Sequence, residues 1–206
     1  MLACPLDGAV CDACWASLAA LPQLAAVPAP GGLARLASVG AYEGRLRDII
    51  HALKYDGRRS IAPRLGALMR QAGAPVLDGV DAVVPVPLHR RRERQRGFNQ
   101  ADDLAQALGL PVLRALRRVT FTVPQVDLPA DERRRNVRDA FALASRRWWL
   151  PVPGSRLPAP AGLVLVLIDD VATTGATLEA CATVLMGAGA REVRALTAAR
   201  VATARR

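Results

Sequence analysis

The sequence predicts an α/β protein with a mostly parallel sheet flanked by helices. Residues 163–168, Leu-Val-Leu-Val-Leu-Ile, form an unbroken apolar run of strand length. Such a run is typical of a strand buried on both faces in the middle of a parallel sheet. A polar turn follows, then a helical pattern over residues 178–186 and a returning strand over residues 192–201. This β-α-β order predicts a ligand site at the carboxyl end of the first strand.

Length and composition fit one medium domain with a small appendage. The chain has 206 residues, of which 51% are hydrophobic, and a single α/β domain of this size is common. We assign residues 1–32 to a Cys-containing N-terminal segment with a linker, and residues 33–206 to the main domain. No apolar run reaches the ~18 residues that span a bilayer, and no signal peptide is readable. We therefore expect a cytoplasmic protein without membrane insertion.

The N-terminal segment carries three of the four cysteines. Cys11 and Cys14 have the spacing of half a zinc knuckle. In the other half, Cys4 is followed at the expected spacing by Asp7 in place of a cysteine, and only three residues separate the halves. Two interpretations stay open: a zinc site of Cys4, Asp7, Cys11 and Cys14, and a metal-free remnant.

The next elements follow from periodicity and turn residues. Residues 16–26 are apolar and helix-prone, and Pro-Ala-Pro-Gly-Gly at residues 28–32 is a linker. Residues 36–42 are a strand candidate. Residues 43–55 are predicted as an amphipathic helix, because four apolar residues recur at helical spacing: Leu46, Ile49, Ile50 and Leu53.

This predicted helix ends near Lys54, the only lysine beside 27 arginines. A single lysine in such a chain indicates either chance or a position where a compact ammonium group is needed.

A short strand over residues 81–84 leads into Pro-Val-Pro-Leu-His and then an arginine-rich loop at residues 90–96, before a helix that runs to about residue 108. A cationic loop at the carboxyl end of a strand suits a diphosphate, although a charge run is also typical of a solvated surface. The net charge of +10 has the same two interpretations, a compositional bias of the genome or a surface for polyanions such as nucleic acid.

The turn after residues 163–168 has the chemistry of a phosphate site. Gly175 permits a positive φ and a close backbone approach, and the neighbouring hydroxyls and the N–H groups at the helix start favour an anion. Asp169 and Asp170 would repel a phosphate in direct contact. They suit ribose hydroxyls or a divalent cation, so a ribose 5-phosphate satisfies both demands.

The motif Val-Leu-Ile-Asp-Asp-Val-Ala-Thr-Thr-Gly-Ala-Thr resembles the phosphoribosyl diphosphate (PRPP) signature of type I phosphoribosyltransferases. The resemblance implies a type I phosphoribosyltransferase-like fold, in which the catalytic pair Asp169 and Asp170 holds the ribose hydroxyls. It also implies a PRPP site with Mg²⁺ bridging the diol and the diphosphate. The residues that match the signature are Asp169, Asp170, Val171, Ala172, Thr173, Thr174, Gly175, Ala176 and Thr177.

Further motifs resemble the ComF family, competence-related proteins with a phosphoribosyltransferase domain. They are Leu-Lys-Tyr-Asp-Gly, Pro-Val-Pro-Leu-His, Arg-Gly-Phe-Asn-Gln and Arg-Arg-Arg-Asn-Val-Arg-Asp-Ala-Phe, with a zinc-knuckle-like start. The resemblance implies a lid over residues 119–136, and residues 148–161 are a Pro-rich extended connection. The implied diphosphate contacts are Lys54, Pro87, Leu88, Arg92 and Arg96, and the implied lid residues are Gln125, Arg133 and Asn136.

Two functions remain. The ComF resemblance implies a PRPP-binding protein of DNA uptake, competence or DNA utilisation, with single-stranded DNA and uptake machinery such as a helicase or channel protein as partners. The alternative is an active phosphoribosyltransferase of nucleotide metabolism with an unidentified acceptor. Thr173 stands where purine-salvage members carry an acid, which argues against 6-oxopurine salvage. Aromatic residues make up 4% of the chain, so no base-stacking platform is evident.

Overall fold

The computed structural model describes residues 10–21, 24–27, 32–120, 139–144 and 159–201. The helices in these ranges are α1 (Asp12–Ala19), α2 (Gly44–Tyr55), α3 (Ile61–Ala72), α4 (Ala74–Leu77), α5 (Arg90–Arg96), α6 (Gln100–Ala107) and α7 (Ala176–Gly187). The strands are β1 (Leu24–Val27), β2 (Leu36–Ala41), β3 (Ala82–Pro85), β4 (Leu116–Arg118), β5 (Phe141–Leu143), β6 (Val164–Ala172) and β7 (Glu192–Arg200).

The main sheet has the order β1-β2-β7-β6-β3. Strands β2, β7, β6 and β3 are parallel to their neighbours, and β1 pairs with β2 in antiparallel orientation. The predicted mostly parallel sheet is therefore confirmed, with β6 between β7 and β3. A separate antiparallel pair, β4 and β5, lies beside it.

Strand β6 is buried on both faces, as its apolar run predicts. Val166 and Ile168 belong to a core shared with α2, α3 and α6. Leu165 and Leu167 belong to a second core shared with α7 and the β4–β5 pair. Because successive side chains of a strand point to opposite faces, the single run fills both cores.

The strand is longer than the sequence predicted. The prediction ended it at Ile168, whereas β6 continues to Ala172 through parallel pairing with β7, including Asp169 opposite Thr197. The two aspartates are thus the last polar part of the strand rather than part of the turn. Pairing with β7 supplies the backbone hydrogen bonds that make this extension favourable.

The arginine run at residues 90–96 was predicted as a loop, and this is wrong, because it forms helix α5. The imidazole Nδ1 of His89 accepts a hydrogen bond from the N–H of Arg91 at 3.2 Å and caps the helix. Gly97, with φ +80°, ends it in the left-handed conformation that favours glycine. The cap and the terminating glycine therefore let a highly charged run adopt a short helix.

The helix predicted over residues 16–26 is also only partly correct. Helix α1 ends at Ala19, and residues 24–27 instead form β1 at the edge of the sheet. Trp15 and Leu18 of α1 join the core that contains α2. The N-terminal segment thus contributes both a helix and an edge strand to the domain.

Several predictions concern residues outside the described ranges. They are Cys4 and Asp7 of the proposed knuckle, nearly all of the proposed lid with Gln125, Arg133 and Asn136, and most of the Pro-rich connection. None of the helices in the described part of the chain is long and apolar enough to cross a membrane.

Candidate functional site

The acid pair lies at the carboxyl end of β6. Asp170 is 4% exposed, and its backbone N–H donates to Oδ1 of Asp169 at 2.8 Å. Asp170 shares its strand face with Val166 and Ile168, whereas Asp169 shares the opposite face with Leu165 and Leu167. The two carboxylates therefore meet different parts of the protein.

Lys54 is the partner of Asp170. Its Nζ lies 2.7 Å from Oδ1 of Asp170, and the two side chains are 16% and 5% exposed. Helix α2 packs on the strand face that carries Asp170, so the end of α2 brings the ammonium group to the carboxylate. The sequence singled out Lys54 as a diphosphate contact; the structure places it against the predicted ribose-binding acid.

The second carboxylate oxygen of Asp170 is not engaged by Lys54. Its Oδ2 is buried and has no hydrogen-bond partner among the described residues. A buried carboxylate oxygen without a partner is costly. Ligand hydroxyls or a hard cation at this oxygen would remove that cost.

Asp169 has an unusual acidity. Burial, with the neighbouring Asp170 carboxylate, raises the pKa of Asp169 from 3.8 to about 7, while the Asp170 N–H, Lys54 and Arg118 act in the opposite direction. The folded state therefore favours the neutral acid, and ionisation of Asp169 lowers the free energy of unfolding as pH rises from 3.8 to about 7. Positive charge or hydroxyl donors supplied by a ligand would stabilise the carboxylate.

Arg118 of β4 is a site residue that the sequence analysis missed. Its charge lowers the pKa of Asp169, and Asp169 in turn raises that of Arg118, whose pKa burial otherwise lowers. The guanidinium carbon lies 5.3 Å from the ring centroid of Phe141 in β5. No sequence signal pointed to it, because the β4–β5 pair was not predicted.

The turn after β6 has the expected anion-site geometry. Gly175, with φ +79°, is the residue before α7, which starts without a side-chain cap. The hydroxyl of Thr174 accepts from the N–H of Ala176 at 3.4 Å, and Thr173 and Thr174 are exposed. The turn therefore combines exposed hydroxyls with the N-terminus of α7, a combination that favours a phosphate.

A cleft of about 650 Å³, named cleft A, brings together three of the predicted diphosphate residues, Lys54, Arg92 and Arg96. The guanidinium of Arg96 lies 5.3 Å from the ring centroid of Tyr55 and donates to Oε1 of Gln100. Because Lys54 lines cleft A and also contacts Asp170, the cleft and the acid pair are joined by one side chain.

Pro87 and Leu88 lie elsewhere. They line a neighbouring cleft of about 400 Å³, named cleft B, on the other side of α5. The N–H of Val86 donates to the carbonyl of Ile168 at 2.9 Å, so the loop that carries Pro87 and Leu88 starts beside the acid pair. Phe98 lines both clefts.

The predicted zinc ligands are only partly within the described residues. The Sγ atoms of Cys11 and Cys14 lie 3.4 Å apart at the start of α1. In the part of the chain that the structure describes, no group of three or more His, Cys, Asp or Glu side chains could hold a metal ion. Cys181, interpreted as a core residue, is fully buried.

Comparison with known proteins gives consistent matches. A family model described as phosphoribosyl transferase domain matches residues 94–206. DNA utilization protein YhgH of Salmonella typhi is 36% identical over 173 residues, covering 78% of this chain and 69% of that protein. The protein of the same name in Escherichia coli (strain K12) is 34% identical over 203 residues, covering 91% and 82%. Competence protein F of Haemophilus influenzae is 32% identical over 170 residues, covering 78% and 70%.

Among solved structures, the allosteric regulatory enzyme of purine biosynthesis is 22% identical with a TM-score of 0.40, covering 68% of this chain and 26% of that chain. A TM-score below 0.5 does not establish a shared fold, so the sequence matches carry the assignment.

The substitution Lys54→Met is expected to destabilise the protein by about 3 kcal/mol, because it leaves the buried Asp170 carboxylate without its counter-charge. The double variant Lys54→Met, Asp170→Asn should recover most of that loss. Urea unfolding measures both.

Asp12→Asn is the matched control, since Asp12 forms an ion pair with Arg64 at the same 2.7 Å but is 91% exposed. It should change stability by less than about 1 kcal/mol. Equal effects of Lys54→Met and Asp12→Asn would show that the Lys54–Asp170 pair contributes no more to the free energy of unfolding than an exposed ion pair does.

Proposed function

Because this chain belongs to the phosphoribosyl transferase domain family, within its ComF group, we propose that it binds PRPP at the carboxyl end of β6 and acts in DNA uptake or DNA utilisation. The ribose diol lies against Asp169 and Asp170, the 5-phosphate occupies the turn at residues 173–177, and the diphosphate enters cleft A. We place this activity in the cytoplasm, where thiols stay reduced.

One observation carries the proposal. Asp170 is buried at 4% exposure with an unpartnered Oδ2, and its other oxygen contacts a lysine that lines a cationic cleft. PRPP carries ribose hydroxyls next to a diphosphate. The hydroxyls would be partners for the Asp170 oxygen, and the diphosphate would be a partner for the cations of cleft A. A neutral or purely apolar ligand would leave the carboxylate oxygen and the cleft cations unmatched.

The donor set also fits Mg²⁺. Magnesium is usually held by one or two carboxylates together with substrate phosphates and water, rather than by a complete set of protein ligands. Asp169 and Asp170 supply that number of hard oxygen ligands, and no group of three or more His, Cys, Asp or Glu residues within the described ranges could hold a metal ion instead. When bound, the ion would neutralise charge on the diphosphate leaving group.

Catalysis is the second candidate. Transfer of the phosphoribosyl group needs positioning and neutralisation of the leaving diphosphate, rather than a covalent nucleophile. The juxtaposition of the acid pair, Lys54 and the arginines of cleft A favours this chemistry over simple storage of a sugar phosphate. Release of diphosphate from PRPP in the presence of candidate acceptors would distinguish a transferase from a binding protein.

The DNA role is supported by the relatives' names and by charge. The arginine ridge, which comprises Arg90, Arg91, Arg92, Arg94 and Arg96 of α5, has no buried residue and separates cleft A from cleft B. A single-stranded DNA backbone can follow such a ridge by phosphate contacts. DNA held there would lie beside the PRPP site, where a helicase or channel protein of the uptake machinery could deliver it.

We also propose that Cys4, Asp7, Cys11 and Cys14 bind zinc. The support is the close approach of the Cys11 and Cys14 thiols at the start of α1, because a knuckle requires both on one side of the chain.

The double variant Asp169→Asn, Asp170→Asn is expected to weaken Mg²⁺-dependent PRPP binding by at least about 100-fold, since hydrogen bonds to charged groups contribute about 1.5–3 kcal/mol each. Isothermal titration calorimetry with and without Mg²⁺ measures this loss.

The matched control is Asp78→Asn with Glu192→Gln, which neutralises one acid directly after α4 and one at the amino end of β7, away from the site. Its PRPP affinity should equal that of the unmodified protein. Undiminished affinity in Asp169→Asn, Asp170→Asn would refute the proposed PRPP site.

Changing Arg91 and Arg94 to Gln is expected to flatten the salt dependence of binding to oligo(dT). Two lost phosphate contacts reduce the slope of log affinity against log salt by about 1.4. Fluorescence anisotropy at a series of salt concentrations measures the slope, and an unchanged slope would place DNA away from α5.

The control for this charge change is Arg35→Gln with Arg191→Gln, at the amino ends of β2 and β7. The same loss of net charge there should leave the slope unaltered.

Protein purified without chelators is expected to contain about one zinc per chain, and Cys11→Ser with Cys14→Ser should contain none. Elemental analysis by mass spectrometry measures this, with Cys181→Ala as a control that keeps its zinc. Zinc-free unmodified protein would identify the segment as a metal-free remnant.

A further inference from the structure

Cleft B is not part of the PRPP site proposed above, although it holds Pro87 and Leu88, two of the residues that the resemblance implied as diphosphate contacts. It is a cavity of about 400 Å³, within the roughly 300–1,000 Å³ of small-molecule sites. Its walls come from the loop after β3, from α5 and α6, and from the β4–β5 pair. It therefore lies on the side of the arginine ridge opposite cleft A.

The charges in cleft B favour an anion. Five arginines and three carboxylates line it, but two of the carboxylates are already satisfied. Arg59 forms a bidentate pair with Asp103 at 2.7 and 2.8 Å, and Arg114 forms one with Asp102 at 2.7 and 2.9 Å. Among the other charged residues of the lining, Arg90 and Arg117 are exposed arginines and Glu93 is the one remaining acid.

The excess of positive charge continues around the rim. Burial lowers the pKa of His89, and the charges of four arginines, Arg90, Arg91, Arg92 and Arg118, add to the effect. So many cations within reach of one imidazole repel one another, and a ligand with negative charge relieves the repulsion.

The remaining walls are apolar and stiff. Pro85, Pro87, Leu88, Phe98 and Leu116 line the cleft, and the guanidinium carbon of Arg59 lies 5.5 Å from the ring centroid of Phe98. The side-chain amide of Asn99 donates to the carbonyl of Val86 at 3.0 Å and holds the proline loop in place. A flat ring therefore has apolar side chains to pack against in the same cleft as the cations that would hold a phosphate.

We propose that cleft B binds a nucleotide, with its phosphate at Arg90 and Arg117 and its base against Pro87, Leu88 and Phe98. The nucleotide is either free or the terminal residue of a single-stranded DNA. The inference rests on the proposed function in one respect, that the bound nucleotide would lie beside a PRPP site.

Two observations indicate that cleft B lies close to the acid pair. Arg118 lines cleft B and acts on the pKa of Asp169, and the loop of Pro87 starts from a hydrogen bond to Ile168, the residue before Asp169. A nucleotide in cleft B therefore approaches the face of β6 that carries Asp169, whereas cleft A adjoins the face that carries Asp170.

The test is calorimetric titration of the full chain with thymidine 5′-monophosphate, with thymidine and with a 5′-phosphorylated thymidine octamer. Arg90→Gln with Arg117→Gln should weaken binding of the phosphorylated probes by at least about 10-fold, because charge-assisted contacts are lost. Both residues are exposed, so the variant should fold. Thymidine should bind weakly to every variant.

Two controls separate this proposal from the PRPP proposal. Arg35→Gln with Arg191→Gln should retain full affinity. Saturating PRPP and Mg²⁺ should not displace the nucleotide. If the acid-pair variant still binds PRPP, the proposed function fails while the nucleotide site stands.

The two phosphorylated probes distinguish the sources of the ligand. Tighter binding of the monophosphate identifies a free nucleotide, and tighter binding of the octamer identifies a DNA end. Equal affinities of the unmodified protein and of Arg90→Gln, Arg117→Gln for both probes would overturn the proposal. Competition by PRPP would also overturn it, because the nucleotide would then occupy cleft A.

Discussion

The ion pair between Lys54 and Asp170 is the interaction on which the site depends. Strand β6 is buried on both faces and yet carries two adjacent carboxylates near its carboxyl end, and a buried carboxylate is costly unless it is paired or protonated. The alternation of side chains along the strand resolves this problem, because it directs Asp170 toward α2 and Lys54, and Asp169 toward β4 and Arg118. Lys54 thus pairs directly with Asp170, whereas Arg118 acts on Asp169 through its charge, and the unpartnered Oδ2 of Asp170 remains for a ligand.

The same alternation divides the surroundings of the acid pair into two clefts. Cleft A lies on the side of Lys54 and cleft B on the side of Arg118, with the arginine ridge of α5 between them and Phe98 in the wall of both. The ridge exists because His89 and Gly97 start and end a helix within an otherwise unfavourable run of like charges. In the proposed function, one short helix therefore separates a diphosphate cleft from a second anion cleft and presents its remaining arginines to solvent.

The parts of the fold that the sequence predicted are those with a strong local signal. Residues 163–168 show a buried strand directly, Leu46 to Leu53 show a helix by their spacing, and the acid pair with Gly175 marks the turn. Two parts were wrong because tertiary pairing decided them: β6 extends through Asp169 and Asp170 by pairing with β7, and residues 24–27 pair with β2 instead of continuing a helix. The β4–β5 pair has only three residues in each strand, which is too short to show a period, so Arg118 could not be found. Lys54 was singled out because it is the only lysine of the chain. Its contact with Asp170 could not be predicted, because that contact depends on the packing of α2.

The most direct test of the central claim is a crystal structure of the protein with PRPP and Mg²⁺. The account predicts the ribose diol at Asp169 and Asp170, the 5-phosphate at the turn that ends in Gly175, the diphosphate in cleft A, and Lys54 moved from Asp170 toward the diphosphate. Density for PRPP elsewhere on the surface, with the Lys54–Asp170 pair unchanged, would contradict it.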